Sequence, residues 1–194
     1  MSTVAAEMLK KRKVAWGITG AGDRLAETIE VMEHVKEERK SKVEVQVFLS
    51  KAGEQVVRAY RLMERLEKGF GRVVVEVDAN APFLAGWLQT GKFEFLLVAP
   101  ASSNTVAKVV VGVSDSLLSN AVIMGLKGSV PVYVLPTDYR KGVVVTRLPD
   151  GRDLSLVTRK EDVDNVRRLR EMKGLFVLEK PEEIGMVFDK HFGR

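Results

Sequence analysis

Residues 95–112 read FLLVAPASSNTVAKVVVG, and this stretch decides the fold. Its first half, FLLVAP, is a continuous apolar run, which is typical of a strand buried on both faces. The run passes without a spacer into Ala-Ser-Ser-Asn-Thr, a cluster of small side chains that carry hydroxyls and one amide. Val106–Val111 then predicts a helical segment, so the stretch has the strand-to-helix order of a parallel α/β sheet.

The same order recurs along most of the chain, with short connections between the elements. The predicted strands are Val14–Ile18, Val43–Leu49, Val73–Val77, Phe95–Ala99, Val130–Leu135 and Leu175–Leu178. The predicted helices lie at about residues 25–40, 50–67, 106–111, 117–126, 161–172 and 181–191, and a further helix is predicted to start at the turn of residues 80–82 and to end near residue 89. Because the strands are continuous apolar runs, we predict a three-layer α/β fold with a doubly wound, mostly parallel sheet of the Rossmann-like or flavodoxin-like type.

The C-terminal part is predicted to add a hairpin to this fold. Gly142–Arg147 and Leu154–Val157 flank residues 148–153, LPDGRD, in which Pro-Asp-Gly favours a turn. We interpret residues 1–194 as a single domain, with a core at about residues 13–138 and a C-terminal extension at about residues 139–194.

The composition excludes several kinds of function. The 194 residues include no cysteine, which rules out disulfides, thiolate nucleophiles, iron–sulfur clusters and cysteine-based zinc sites. The net charge is +5, but charges of both signs alternate along the predicted helices, so we expect no nucleic-acid partner. The positive balance is compatible with an acidic protein partner or a phosphorylated ligand.

The N-terminal segment does not have the pattern of an export signal. Met1–Lys13 has only a short, weakly apolar stretch before the basic residues 10–13, which is the reverse of the order in a secretory signal. No run in the chain approaches the roughly 18 apolar residues of a membrane span. We therefore expect a cytoplasmic protein with no membrane partner.

Glycine or polar residues follow four of the predicted strands. Ligands of an open parallel sheet bind beyond the carboxyl ends of its strands, so these segments form the candidate site. They are Gly17–Gly22, Ser50–Gly53, Pro100–Thr105 and Pro136–Asp138. A glycine-rich turn before a helix lets backbone N–H groups approach a phosphate. The GxxGxG spacing matches neither the Rossmann fingerprint nor a P-loop, so a plain tight connection is the alternative for Gly17–Gly22.

The serines have a structural alternative as well, because Ser50 and any one residue of Ser102–Thr105 can cap a helix. One helix needs only one cap, so four polar side chains in a row favour hydrogen bonds to a group outside the chain. Asp23 is the predicted N-cap of the helix that begins near Leu25. The residues alone thus predict a phosphorylated ligand at the strand ends.

The motifs GITGAG, LSKAG, APASSNTVAK and GVSDSLLSNA resemble those of the flavoprotein superfamily of cysteine decarboxylases and flavin prenyltransferases. The resemblance covers roughly Val14–Pro136 and implies FMN bound at the subunit contacts of a homo-oligomer built from trimers. Thr19, Gly20, Ala21 and Gly22 would hold the FMN phosphate, and Ser50 would touch the ribityl chain or the ring edge. The other implied residues are Ser102, Asn104 and Thr105 along the flavin, Pro100, Ala101 and Ser103 in the same segment, and Ser114 and Asp115 from the same or a neighbouring subunit.

The sequence departs from both enzyme types of that superfamily. The decarboxylases carry a catalytic histidine before the strand that leads into this motif, but residues 83–89 contain none. His34 and His191 are the only histidines, and we predict that both lie at the surface. The prenyltransferases carry arginines before the fifth strand, where this chain has Lys127–Val130.

A third branch, the archaeoflavoproteins and dihydromethanopterin reductases, is similar through AWGITGAGDR, LSKAGEQVV, APFLAG and TRLPDG. This resemblance implies FMN-dependent electron transfer from ferredoxin or a similar donor to a pterin such as dihydromethanopterin. The alternatives are an enzyme like the prenyltransferases or cysteine decarboxylases, and a non-catalytic binding or regulatory protein. On this interpretation the flavin carries the chemistry, no metal site is predicted, and a proton donor would be Tyr139, Lys51, Asp138 or water.

Overall fold

The computed structural model describes residues 11–193. The prediction that the N-terminal segment lacks an export signal concerns mainly residues 1–10, which lie outside the described residues. Six strands form a parallel sheet in the order β3-β2-β1-β4-β5-β8 within the described part of the chain. They are β1 (Arg12–Ile18), β2 (Val43–Leu49), β3 (Val73–Val75), β4 (Leu96–Ala101), β5 (Val132–Pro136) and β8 (Leu175–Val177). The predicted doubly wound parallel fold is confirmed.

Helices cover both faces of this sheet. They are α1 (Leu25–Glu38), α2 (Lys51–Ala59), α3 (Met63–Phe70), α4 (Leu84–Gln89), α5 (Ser103–Val111), α6 (Leu117–Lys127), α7 (Lys160–Arg170) and α8 (Glu183–Phe192). Trp16 and Ile18 of β1 pack in the core with α1, α3 and α8. Ala15 belongs to the core on the other face, with α4, α5, α6 and α7. The alternation of side chains along a strand explains why β1 is apolar from Val14 to Ile18: this part of the strand is covered on both faces.

The chain order places a crevice between β1 and β4. From β1 the chain adds β2 and then β3 on one side, and it returns to add β4, β5 and β8 on the other. The connections after β1 and β4 therefore leave on opposite faces and diverge at the carboxyl ends of these strands. This topological switch point is where open parallel sheets bind their ligands.

The hairpin of the C-terminal extension is also confirmed. It consists of β6 (Val143–Arg147) and β7 (Asp153–Val157), which pair antiparallel and stand apart from the main sheet. Within residues 11–193, no helix combines the length and the apolar character needed to span a bilayer.

Several predicted boundaries were wrong. The helix predicted over residues 50–67 is divided into α2 and α3, because Arg61 adopts a left-handed backbone conformation with φ 58°. The third strand ends at Val75 instead of Val77. β4 extends to Ala101 and α5 begins at Ser103, so the polar cluster lies in the first turn of α5 instead of in a loop.

Candidate functional site

A cleft of about 460 Å³ lies at the switch point. Its floor consists of the loop after β1, residues 20–23, and the junction of β4 and α5, Ser102–Asn104. Thr137 and Asp138, which follow β5, line it as well. The predicted candidate segments after β1, β4 and β5 therefore come together in one place.

The β6–β7 hairpin forms the other wall of this cleft. Val144 and Thr146 of β6, with Leu154 and Leu156 of β7, line it from the side opposite the strand ends. The Tyr60 hydroxyl, at the end of α2, donates a hydrogen bond of 2.8 Å to the carbonyl of Arg147 and so ties the hairpin to the main domain. Sequence reasoning did not place the hairpin here, because this contact joins residues that are 87 positions apart.

Thr19 connects the two strand ends that form the floor. Its side chain is 1% exposed, and Oγ1 donates to the Pro100 carbonyl at 3.0 Å and accepts from the Ser102 N–H at 2.7 Å. The hydroxyl is thus engaged within the chain, although a role for the Thr19 segment in phosphate binding stays a prediction. Pro100 and Ala101 lie in β4 directly beneath this link.

The glycines of the first loop allow it to pack closely on α2. A Cβ atom at Gly20 would lie 2.7 Å from the Cβ of Ala52, and one at Gly22 would lie 2.5 Å from the Tyr60 hydroxyl. Both separations are too short for real contacts, so a side chain at either position would require the loop or its neighbour, Ala52 or the Tyr60 ring, to move. Packing therefore accounts for the two glycines, and their approach to a phosphate stays a prediction.

The first turn of α5 offers hydrogen-bond donors to the cleft. Ser102 is the N-cap, and its Oγ accepts from the Thr105 N–H. The N–H groups of Ser103 and Asn104, which precede Thr105, have no partner within the helix. The Asn104 side chain is exposed and makes no hydrogen bond to the described residues. These donors, at the positive end of the α5 dipole, are available to a ligand.

Two carboxylates line the same cleft in different environments. Asp138 accepts hydrogen bonds from the hydroxyls of Ser103 and, at 3.0 Å, Thr137. Asp23 is partly buried, and its Oδ2 has no hydrogen-bond partner among the described residues. Burial raises the pKa of Asp23 and the charge of Asp138 adds to this effect, whereas Arg24 and the Thr146 hydroxyl oppose it.

The prediction that Asp23 caps α1 was wrong. The residue at the N-cap position is Arg24, with φ 61° and no side-chain cap. Its guanidinium lies 4.8 Å from the ring centre of Tyr139 and donates to the carbonyl of Glu179. The chain therefore turns one residue later than predicted, which leaves the Asp23 carboxylate beside the cleft.

Seven predicted site residues are not among those that line this cleft: Thr19, Pro100 and Ala101 of the link described above, and Ser50, Thr105, Ser114 and Asp115. Ser50 is buried and its Oγ caps α2 by accepting from the Gly53 N–H at 2.9 Å. Thr105 lies behind Ser102, with their hydroxyl oxygens 3.2 Å apart. Ser114 and Asp115 are exposed at the turn before α6, and Asp115 pairs with Lys108 at 2.8 Å. For Ser114 and Asp115, a contact with the cleft of a neighbouring subunit stays a prediction.

Glu76, which follows β3, was missed by sequence reasoning. It is 9% exposed, and its two carboxylate oxygens accept from the N–H of Lys51 at 3.0 Å and of Leu117 at 3.2 Å. These are the first residues of α2 and α6, so one acidic side chain joins two helix N-termini. The only signal in the sequence is that Glu76 interrupts the apolar run Val73–Val77, two residues before another acid, Asp78.

The two histidines lie away from the cleft. His34 is exposed on α1, as predicted. His191 is only partly exposed: its Nε2 is 2.9 Å from the Tyr133 hydroxyl, its ring packs on Phe95, and burial lowers its pKa. Residues 11–193 contain no cluster of three or more acidic or histidine side chains that could hold a metal ion.

The fold agrees with the family comparison. The chain belongs to the Flavoprotein family, whose model matches residues 2–194. This confirms the superfamily resemblance deduced from the strand-end motifs.

Three relatives show where in the family the chain lies. An uncharacterized protein of Methanocaldococcus jannaschii is 50% identical, with 92% of this chain and 95% of that protein covered. A dihydromethanopterin reductase (acceptor) of the same organism is 30% identical, with 89% and 94% covered. The structure of Burkholderia xenovorans DmrB in complex with FMN, described as a cubic protein cage for redox transfer, aligns with a TM-score of 0.78 at 30% identity and covers 93% of this chain and 94% of DmrB.

Proposed function

We propose that this protein binds FMN in the cleft between the strand ends and the β6–β7 hairpin and uses it to transfer electrons. The acceptor is a pterin such as dihydromethanopterin, and the donor is ferredoxin or a similar protein. The observation that carries the proposal is the convergence of the glycine loop, the α5 N-terminus and the hairpin on one cleft. The relatives named dihydromethanopterin reductase and the FMN complex of DmrB support it.

The cleft fits a flavin nucleotide. Its volume of about 460 Å³ lies in the range of roughly 300–1,000 Å³ that is usual for small-molecule sites. The Asn104 side chain and the free N–H groups of Ser103 and Asn104 in the α5 first turn can donate to the oxygen and nitrogen atoms of a flavin ring. Val144, Leu154 and Leu156 provide an apolar wall for the flat face of that ring. The loop Gly20–Gly22 would hold the phosphate.

The chain's own residues bind, orient and shield the cofactor. FMN, when bound, supplies the hydride and one-electron chemistry, and a protein contributes positioning and electrostatics to such a cofactor. The hairpin forms one wall of the cleft, and Tyr60 holds it in place. Asp138 accepts hydrogen bonds from two hydroxyl groups, and these contacts hold its carboxylate in position at one end of the cleft.

The partners follow from charge and from the relatives. The net charge of +5 favours an acidic donor such as ferredoxin, whose docking would weaken as salt is raised. The description of DmrB as a cage supports a homo-oligomer, which we propose is built from trimers. In such an assembly Ser114 and Asp115 of one subunit would approach the cleft of another.

An anaerobic assay tests this function. The FMN-loaded protein is photoreduced and mixed with dihydromethanopterin, and separately the oxidised protein is mixed with reduced ferredoxin. We expect the pterin to reoxidise the flavin and ferredoxin to reduce it. Failure of both reactions would contradict the proposal. Release of carbon dioxide from a peptide with a C-terminal cysteine would instead support the decarboxylase alternative.

A further inference from the structure

We propose that Trp16 is a positioning residue of this cleft: its buried indole N–H holds the carboxyl end of β4 and thereby orients the hydrogen-bond donors of the α5 first turn toward the ligand. The identity of that ligand, FMN, rests on the proposed function. Trp16 itself does not line the cleft, so it acts on the site through the backbone of β4.

A β-bulge lies near the carboxyl end of β4. β4 and β5 pair regularly as far as Val98 and pair again at Ala101, but two residues of β4 lie between these positions and only one residue of β5 does. The two residues of the bulge are Ala99 and Pro100. A bulge interrupts the ladder, bends the strand and redirects the residues beside it. The residues that follow this bulge include Ser102–Asn104, which line the cleft.

The Trp16 side chain bonds to the backbone within the bulge. Trp16 lies beside Leu97 in the register of β1 and β4, and its Nε1–H donates to the carbonyl of Ala99, two residues further along β4, at 2.8 Å. Trp16 and Ala99 are both 0% exposed, so the bond is shielded from solvent. Because a buried indole N–H and a buried carbonyl both need a partner, this contact fixes the bulge to β1.

The core holds the indole ring in one orientation. Phe70 of α3 packs against it edge-on, with ring centres 5.0 Å apart and ring planes at 71°. The Trp16 ring also lies in the same core cluster as the buried residues of α1 and α8. Since close-packed interiors keep side chains in defined rotamers, the indole N–H keeps one direction toward β4.

Thr19 holds the next part of the same segment. Its Oγ1 donates to the carbonyl of Pro100 and accepts from the N–H of Ser102. β1 and the loop after it therefore hold the end of β4 at Ala99, Pro100 and Ser102. Because Ser102 is the N-cap of α5, the direction of the first-turn N–H groups depends on these three contacts.

The direction of these donors has two measurable effects on bound FMN. Each N–H group that meets an oxygen or nitrogen atom of the flavin strengthens binding. Reduction adds negative charge to the flavin, so donors directed at it stabilise the reduced form more than the oxidised form and raise the midpoint potential. Loss of the Trp16 contact should therefore weaken FMN binding and make the potential more negative.

The test compares the wild type with Trp16→Phe, which keeps an aromatic ring against Phe70 and loses the N–H. Trp87→Phe is the matched control, because it makes the same change at the only other tryptophan, which packs near Phe48 and does not line the cleft. A further protein carries Trp87→Phe and has 3-benzothienylalanine incorporated in place of Trp16. Sulfur replaces the indole N–H in this analogue, so the donor is removed while the ring keeps its shape.

Three quantities are measured: FMN affinity by flavin fluorescence, the midpoint potential of the FMN-saturated proteins, and amide hydrogen exchange of the apoproteins. We expect both proteins altered at Trp16 to bind FMN about tenfold more weakly and to have a more negative potential. Their Ser102 and Thr105 N–H groups should exchange faster relative to the amides of β1. Trp87→Phe should match the wild type in all three. Because the potential is measured at saturation, a loss of stability alone would leave it unchanged.

The outcomes separate this assignment from the proposed function. If the wild type binds no FMN but exchange at Ser102 and Thr105 is faster in both proteins altered at Trp16, the proposed function is wrong and Trp16 still positions the α5 first turn for another ligand. If FMN binds and these two proteins keep either the affinity or the potential of the wild type, the Trp16 contact is only structural and the assignment is overturned. Unchanged exchange at Ser102 and Thr105 would overturn it as well.

Discussion

Glu76 holds two sides of the site together, and its removal is the sharpest structural perturbation. Its carboxylate accepts from Lys51 N–H and Leu117 N–H, the first residues of α2 and α6. A hydrogen bond to a charged group contributes about 1.5–3 kcal/mol, so Glu76→Ala should cost about 3–6 kcal/mol if both N–H groups stay unpaired. Glu76→Gln keeps one acceptor oxygen and turns an amide NH₂ toward the other N–H group, so it should cost about half as much.

The assay is urea unfolding followed by the fluorescence of the buried Trp16, at one fixed subunit concentration. Glu94→Gln is the control, because Glu94 is bonded to Arg12 at 2.6 Å but is partly exposed, and such a pair contributes about 0–1 kcal/mol. A Glu76→Gln protein as stable as Glu94→Gln would refute the view that Glu76 joins the two helix N-termini.

Three further changes probe the site. Thr19→Val leaves the Ser102 N–H without its acceptor and should destabilise the fold by about 1–3 kcal/mol in urea unfolding, whereas Thr19→Ser, which keeps the hydroxyl, should be close to wild type. Asp23→Asn should stabilise the protein at neutral pH. The folded-state pKa of Asp23 is raised, so the free energy of unfolding of the wild type falls as pH rises through that pKa and the side chain ionises. When unfolding is measured across pH, the gain in Asp23→Asn should vanish below about pH 3.9, and a gain that persists there would contradict this reasoning. Tyr60→Phe removes the bond to the Arg147 carbonyl and should speed hydrogen exchange in β6 and β7 but not in the central sheet; unchanged exchange in the hairpin would show that Tyr60 does not hold it.

The sheet could be predicted because its strands are covered on both faces. Continuous apolar runs such as Leu96–Ala101 have no other stable placement, and the short connections then require parallel neighbours. The division of residues 50–67 could not be predicted, since the amphipathic pattern continues across Arg61 and its left-handed backbone has no sequence signal. The same holds for Arg24, whose φ of 61° displaced the predicted cap.

The site was predicted where it depends on strand ends and missed where it depends on distant contacts. Ser102–Asn104 line the cleft because the end of a strand fixes their position. The hairpin residues Leu154 and Leu156 line the same cleft because segments that are far apart in the sequence pack together, and no local sequence pattern predicts such packing. Glu76 was missed because an acid after a strand is usually solvated, and only the meeting of two helix N-termini makes it structural.

Titration of the purified chain with FMN tests the central claim most directly. Flavin fluorescence is recorded for the wild type, for Asn104→Ala in the cleft, and for Gln89→Ala, an exposed amide outside it. We predict one FMN per chain for all three, with affinity about tenfold lower in Asn104→Ala, equivalent to about 1.4 kcal/mol for one lost hydrogen bond, and unchanged in Gln89→Ala. Absence of FMN binding, or equal affinity in Asn104→Ala and the wild type, would contradict the assignment of this cleft as the flavin site.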